Sequence, residues 1–315
     1  FFRKKKIRVV NWHPAYKSST FMFSHYDTYH KTMIDEPKEI WMNKLLTSNQ
    51  KSKLKQYLNS RFHGGNDWIS FQHQKNVDFK NYLKNFKIKT SQRKNVLLLT
   101  NVLWDAQLHF KQNAFSSMIE WLHMTIEYFI QNEDTNLIIR VHPAEVLGTV
   151  PSNQPIINEI YSKWKKLPKN IIIINPENNI NTYSIMKTCK VALVYGTKMA
   201  IELAYFGYNV IVCGEAWARN KGFTIDISSK KNYLYVLNNL DKIKKLSLEK
   251  RAIAEKYAYY IFFNRMIPVK FAKKNNYLFP IRYSIKKLDE LKPGYDKGLD
   301  LICNGIINGD DFIFD

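Results

Sequence analysis

The sequence predicts an α/β protein built on a parallel sheet with helices on both faces, and three observations carry that reading. From residue 94 to about 240, short apolar runs alternate with amphipathic stretches. That alternation marks strands buried on both faces and joined by crossover helices. The longest apolar runs, such as Val96–Thr100 and Ile171–Ile174, are strand-sized, far below the roughly 18–20 residues of a membrane span. At 315 residues, 45% hydrophobic and 24% charged, the chain is long enough for two domains with a sizeable core.

Residues 1–93 read as a partial N-terminal α/β domain. Ile7–Trp12 has the pattern of a strand; a polar loop follows, then a helical pattern around Pro37–Arg61 and a turn at Gly64-Gly65-Asn66-Asp67 leading into Trp68–Phe71. The chain opens Phe-Phe-Arg-Lys-Lys-Lys without a methionine and without the apolar stretch of a secretory signal. A fragment whose upstream strands are missing is therefore expected.

Residues 94–240 carry the alternation. Strands are expected at Val96–Leu99, Leu137–Val141, Ile171–Ile174, Val191–Tyr195 and Val210–Cys213. Helices are expected near Phe115–Gln131, Ile156–Lys165, Asn181–Thr188 and Lys198–Phe206, the last closed by Gly207. Residues 241–315 read as mainly helical, with Leu246–Phe263 the strongest segment, expected to pack back toward the N-terminal domain.

The three cysteines, Cys189, Cys213 and Cys303, are far apart and show no CxxC spacing, so neither a zinc site nor a disulfide framework is expected and a reducing, cytoplasmic setting fits. Net charge is +21, from 48 Lys and Arg against 27 Asp and Glu. Such an excess suits nucleic acid, anionic lipid or acidic sugars. The lysines are scattered, and no RNA-recognition, zinc-finger or stacking pattern accompanies them, so nucleic acid is not expected as a partner. Peripheral contact with the inner membrane is one reading of the lysines; a solvated face is the other.

In an open parallel sheet, ligands bind beyond the carboxyl ends of the strands. Tyr195-Gly196-Thr197-Lys198 joins a strand directly to a helix. Gly196 permits a tight turn, Thr197 can cap the helix, and the helix start suits a phosphate. Glu202, one turn inside, could accept from ribose hydroxyls, although any strand–turn–helix needs a cap. Arg140-Val141-His142-Pro143-Ala144-Glu145 ends another strand, where a histidine can donate to phosphate or titrate near neutrality. Asn181-Thr182 opens the next helix, and Gly214-Glu215-Ala216-Trp217 begins a loop running to Gly222 that reads as a polar substrate rim. In the N-terminal region, His25, Asp27 and His30 lie in Ser24–His30. Their spacing fits no metal motif, so a polar acceptor loop with His25 or Asp27 as base is expected.

With these residues in view, the chain resembles the capsule polysaccharide biosynthesis family, GT-B-like proteins related in architecture to bacterial Kdo transferases and polysialyltransferases. The resemblance rests on Ser24–His30, Thr100–Ala106, Arg140–Glu145, Asn181-Thr182-Tyr183, Tyr195–Lys198 with Glu202, Gly214–Trp217 and Phe262–Pro268. It implies Rossmann-like domains facing across a cleft and a CMP- or UDP-linked sugar as substrate, without a cofactor or metal. An oligosaccharide or lipid-linked glycan would be the acceptor. Arg140, His142, Pro143, Glu145, Asn181, Thr182, Tyr195, Gly196, Thr197, Lys198, Glu202 and Glu215 would surround the donor. His25, Asp27 and Asp105 are the candidates for catalysis, with Asn101 and Trp104 beside Asp105. A nucleotide-sugar epimerase and a non-catalytic nucleotide-sugar-binding protein stand as alternatives.

Overall fold

Short runs of β-branched and leucine side chains make the central sheet. The computed structural model describes residues 4–5, 7–62, 65, 67–68, 79, 82–83, 94–104, 114–148, 150–275 and 281–315. Strands β3 (Lys94–Leu99), β4 (Thr135–Arg140), β5 (Ile171–Ile174), β6 (Val191–Val194), β7 (Asn209–Val212) and β8 (Ile225–Asp226) lie in the order β5-β4-β3-β6-β7-β8. All neighbours are parallel. Counted within the sheet this is third-second-first-fourth-fifth-sixth, the doubly wound order, and its switch point lies between β3 and β6.

Period-two alternation gives the sheet two apolar faces. Val96, Leu98, Leu137, Ile139, Val191 and Leu193 pack with Trp121, Leu122, Ile126 and Phe129 of helix α4 (Met118–Gln131). Ile156 and Ile160 of α6 (Ile156–Lys163) and Tyr233 and Leu237 of α9 (Lys230–Asn238) join the same cluster. Thr125 and Tyr233 tie α4 to α9 through their hydroxyls, 2.6 Å apart. Leu97, Ile138, Ala192 and Val210 alternate to the opposite face and are also fully buried. Helices α7 (Thr182–Met186) and α8 (Met199–Tyr205) bury most of their side chains as well. The short α5 (Ala144–Leu147) follows β4.

The chain divides into two compact units, one of Phe1–Ser70 with Glu255–Asp315 and one of Phe71–Ala254. The first holds an antiparallel sheet of β1 (Val10–Pro14), β2 (Thr20–His25) and β9 (Ile267–Pro268), and a hairpin of β10 (Ala272–Lys274) and β11 (Ile281–Tyr283). Its helices are α1 (Tyr29–Asp35), α2 (Glu39–Met42), α3 (Ser48–Phe62), the end of α10 (Leu248–Tyr259) and α11 (Lys297–Asn308). A π turn at Tyr260–Arg265 follows α10 and buries Asn264 and Arg265. Arg265 faces Glu36 at 3.7 Å and donates to the carbonyl of Phe312 at 3.0 Å, while Asn264 and Phe314 exchange hydrogen bonds. These bonds hold the C-terminal segment on its unit.

Several expectations need correction. The first strand begins at Val10, not Ile7, which is 48% exposed. The supposed polar loop after it contains β2, whose apolar centre Phe21-Met22-Phe23 is too short to stand out. Residues beyond 241 are not simply helical, because β9, β10 and β11 lie there. The expected turn at 64–67 and segment 68–71 fall largely outside the described residues. Among those residues, no helix is long and apolar enough to cross a membrane.

Helix α11 lies so close to β9 that a β-carbon at Gly298 would run into the carbonyl of Pro268. Gly298→Ala should therefore cost about 1–3 kcal/mol, measured as a lower denaturant midpoint at unchanged slope. A loss below about 0.5 kcal/mol would show that this approach is not needed.

Candidate functional site

The carboxyl ends of β3, β4 and β6 are joined by side chains from the residues after β3. Thr100 Oγ1 accepts from the backbone N–H of His142 at 3.1 Å, linking β3 to β4. Asn101 makes the link to β6: its Nδ2 donates to the carbonyl of Gly196 at 3.2 Å, and its Oδ1 accepts from the Gly196 N–H at 3.3 Å. Asn101 is 7% exposed, and its own N–H donates to Met118 Sδ at 3.4 Å. This reciprocal amide pair sits at the switch point, where neighbouring loops depart in opposite directions and leave a crevice.

Two glycines let the β6 and β7 loops close on each other. A β-carbon at Gly196 would lie 2.9 Å from the carbonyl of Glu215, and one at Gly214 would lie 2.7 Å from the ring of Tyr195. The Gly214 N–H donates to the carbonyl of Tyr195 at 3.1 Å. Thr197 Oγ1 accepts from Met199 N–H at 3.2 Å, capping the first turn of α8. Tyr195, Gly196, Thr197, Lys198 and Glu215 are half-buried, with surface toward solvent. Burial raises the Tyr195 hydroxyl to about 12, so it remains a neutral donor.

His142 and Pro143 are half-buried at the end of β4. His142 Nδ1 accepts from the backbone N–H of Ala144 at 3.1 Å. A neutral ring accepting at Nδ1 carries its proton on Nε2. The fold thereby sets the tautomer and makes Nε2 a donor.

Other candidates lie one layer deeper. Arg140 is 4% exposed and donates to the carbonyls of Asn175 and Asn178 at 2.5 and 2.9 Å, bracing the loop after β5. Burial lowers its pKa to about 10, still fully protonated near neutrality. Both Glu145 carboxylate oxygens lie 3.2 Å from the N–H of Ile156, so this side chain caps α6 from eleven residues away. Burial raises Glu145 to about 7, above the opposing effect of that hydrogen bond. Glu202 is fully buried and accepts from the Tyr183 hydroxyl, tying α8 to α7 instead of meeting solvent where a ribose would lie. Asn181 caps α7 by accepting from Tyr183 N–H at 2.9 Å, and Thr182 beside it is 9% exposed.

The loop read as a polar rim is largely packed inside: Trp217, Arg219 and Lys221 are 5%, 8% and 2% exposed. Arg219 donates to the carbonyls of Val212, Gly214 and Ile227. His25 and Asp27 belong to the other unit. The His25 ring stacks on Phe312 and its Nε2 lies 2.9 Å from the carbonyl of Asp310. Asp27 accepts from Thr28 N–H and faces Lys31 at 3.3 Å, and both Ser24 and Asn11 donate to its carbonyl. That turn places Tyr26 at φ 62°, in the left-handed region. Asp105 lies outside the described residues, while Trp104 is 51% exposed and donates to Ser152 at 3.0 Å. Among the described residues, no group of three His, Cys, Asp or Glu side chains could hold a metal ion.

Two outcomes follow from this layer. Asn101→Ala leaves the Gly196 amide without its partner and should cost about 1–3 kcal/mol, read by chemical unfolding; an unchanged midpoint would mean that water replaces the amide. Glu145, raised in the folded state, binds more protons folded than unfolded between about 4.5 and 7. Its contribution to stability should therefore fall as pH rises through that window and level off above it. The melting temperature of wild type minus that of Glu145→Gln should drop between pH 5 and pH 8, and a pH-independent difference would contradict the buried-carboxyl assignment.

The family model described as capsule polysaccharide biosynthesis protein matches residues 23–260. No curated protein matches the chain in sequence. Among solved structures, the beta Kdo 2,4 transferase of Thermosulfurimonas dismutans KpsC aligns at TM-score 0.52 and 14% identity, over 82% of this chain and 73% of that one. The beta Kdo 2,7 transferase of the same KpsC aligns at TM-score 0.44 and 14% identity, over 84% and 68%. At such identity the likeness is one of fold. The matched span covers most of the chain and includes the whole parallel sheet, and on that ground this protein belongs to the capsule polysaccharide biosynthesis family, with a GT-B-like fold.

Proposed function

We propose that the chain is a glycosyltransferase that moves a sugar from a CMP- or UDP-linked donor to a growing capsule or surface polysaccharide. The observation that carries this reading is the carboxyl edge at the switch point. There His142, with Nε2 fixed as a donor, is tied to Thr100, and the adjoining Asn101 pairs with the Gly196 turn. In the reaction an acceptor hydroxyl attacks the anomeric carbon, its proton passes to a base, and the bond to the donor phosphate breaks with its electrons on the phosphate oxygen. Donors fixed before the reaction stabilise that charge without reorganising. His142 Nε2–H, the Thr197 hydroxyl and the Lys198 ammonium are assigned this role, with Tyr195 and Glu215 lining the donor. Arg140, Glu145, Asn181, Thr182 and Glu202 support them from below. His25 and Asp27 are the base candidates on the N-terminal unit, with Asp105 a third. No resident cofactor enters this scheme. We place the protein in the bacterial cytoplasm, in peripheral contact with the inner membrane, where a lipid-linked acceptor would be met.

Calorimetric titration with CMP, UDP, GDP and ADP tests the donor assignment. One nucleotide should bind, and His142→Ala and Thr197→Ala should each weaken it by about tenfold or more, the scale of a hydrogen bond to a charged group. Binding unaffected by both changes would move the site elsewhere. Product formed from the donor sugar alone, without acceptor, would replace transfer with epimerisation.

A further inference from the structure

The two edges of the parallel sheet differ in charge. At the carboxyl edge, signs are mixed: Glu215 and Asp226 stand with Lys198, and Lys230 pairs with Glu120. Beneath β3, β6 and β7 the amino edge is different. Lys94 opens β3, Lys187 and Lys190 precede β6, and Lys242, Lys244 and Lys245 follow α9. Hydrogen bonds fix these segments together. Lys190 Nζ donates to the carbonyl of Asp241 at 2.8 Å, Lys94 pairs with the Asp241 carboxylate, and Asn209 at the start of β7 donates to the carbonyl of Lys244 at 2.9 Å. Lys190 is half-buried and the other five lysines are exposed. Asp241 is the one carboxylate on these segments; Glu133 and Asp134 lie ahead of β4.

Folding alone does not account for this concentration. Lys187 is the C-cap residue of α7 and favourable at that helix end. Lys244 and Lys245 lie beyond the last turn of any helix, where that effect has faded. Like charges held together cost self-repulsion in the free protein, and an opposing anionic surface removes that cost.

We propose that this amino edge is the face by which the protein rests on an anionic lipid bilayer. The charges are lysines, hydrated point charges on flexible stems. Such groups suit the diffuse field of a bilayer, whereas a single phosphate or carboxylate group is better met by the bidentate fork of arginine. Strands of four to six residues separate this face from the carboxyl edge, a span of about 13–20 Å. Docking through the amino edge therefore leaves the opposite edge open to soluble nucleotide. The proposal names the surface behind the membrane contact in the reading above, and its test does not require that the donor assignment be correct.

Sedimentation of the full chain with phosphatidylcholine vesicles, with and without phosphatidylglycerol, provides that test. Wild type should bind only the anionic vesicles, and less as salt rises. Changing Lys187, Lys190, Lys242, Lys244 and Lys245 to Gln should weaken binding by about tenfold or more. A variant with the same charge loss at Lys55, Lys273, Lys274, Lys286 and Lys287, all exposed in the other unit, should bind as wild type does. A triple change at Lys242, Lys244 and Lys245 alone leaves the sheet bonds of Lys190 in place. It should retain the wild-type melting temperature and still lose binding. Equal losses in the two five-residue variants would reduce the effect to net charge and overturn the proposal, as would absence of wild-type binding. Tighter binding of heparin than of vesicles through the same five lysines would make the face a polyanionic-glycan surface and overturn it as well. Nucleotide titration on the triple variant should be unchanged, which keeps this outcome separate from that of the donor assignment.

Discussion

The candidate site depends on one buried amide. In a doubly wound sheet the strands on either side of the switch point send their following loops to opposite sides, so nothing in the ladder joins those loops. Asn101 supplies the missing connection by offering its amide to both backbone groups of Gly196. Asn101 is buried and Gly196 half-buried, so the pair satisfies polar groups that burial would otherwise leave costly. Once Gly196 is fixed, its missing β-carbon lets the carbonyl of Glu215 approach, and the β7 loop is set in turn. Thr100 extends the same logic to β4 and His142. Two consecutive residues after β3 thus position loops from three other strands.

Beneath that layer the charged residues act on the backbone. A carboxylate or guanidinium withdrawn from water must find partners, and here the partners are largely main-chain groups at the ends of elements. Arg140 gathers two carbonyls after β5, Arg219 gathers three around the β7 loop, and Glu145 takes the N–H that opens α6. Glu202 joins two helices through Tyr183. Most of these bonds lie below the surface, and each limits how far a surface loop can move. A site built on strand ends is rigid only when such a supporting layer exists.

The parallel sheet was legible because both of its faces are buried. Runs such as Ile171–Ile174 have no polar alternation to obscure them, and strands and helices alternate at regular spacing. The antiparallel strand at Thr20–His25 was hidden because a short apolar centre sits between hydroxyl-bearing residues and a histidine. The strands after residue 266 were hidden because each has only two or three residues. At the site, sequence placed His142, Gly196 and Thr197 at strand ends from local signals: a proline stop, a glycine turn and a hydroxyl cap. It could not see that Asn101 meets Gly196, because a contact between residues 95 positions apart leaves no local pattern. For the same reason it could not see that Glu202 meets Tyr183 or that Glu145 caps α6. A carboxylate in the first turn of a helix looks the same in sequence whether it faces solvent or the interior, and only the packing of neighbouring helices decides between them.

Parallel strands also impose a polarity that an antiparallel sheet lacks. Every βα loop emerges at the carboxyl edge, so chemistry gathers there from distant parts of the chain. Every returning connection arrives at the amino edge, where helix C-termini attract cations. Evolution can therefore change the two edges independently: substitutions among Lys187, Lys242 and Lys245 alter the field of one face without disturbing the amide pair at the other. The strand centres between them, Val96–Leu98, Leu137–Ile139 and Val191–Val194, are apolar and keep the edges at a fixed separation. A fold with this polarity separates what it recognises by shape from what it meets by charge, and in this chain the division runs along the length of β3 and β6.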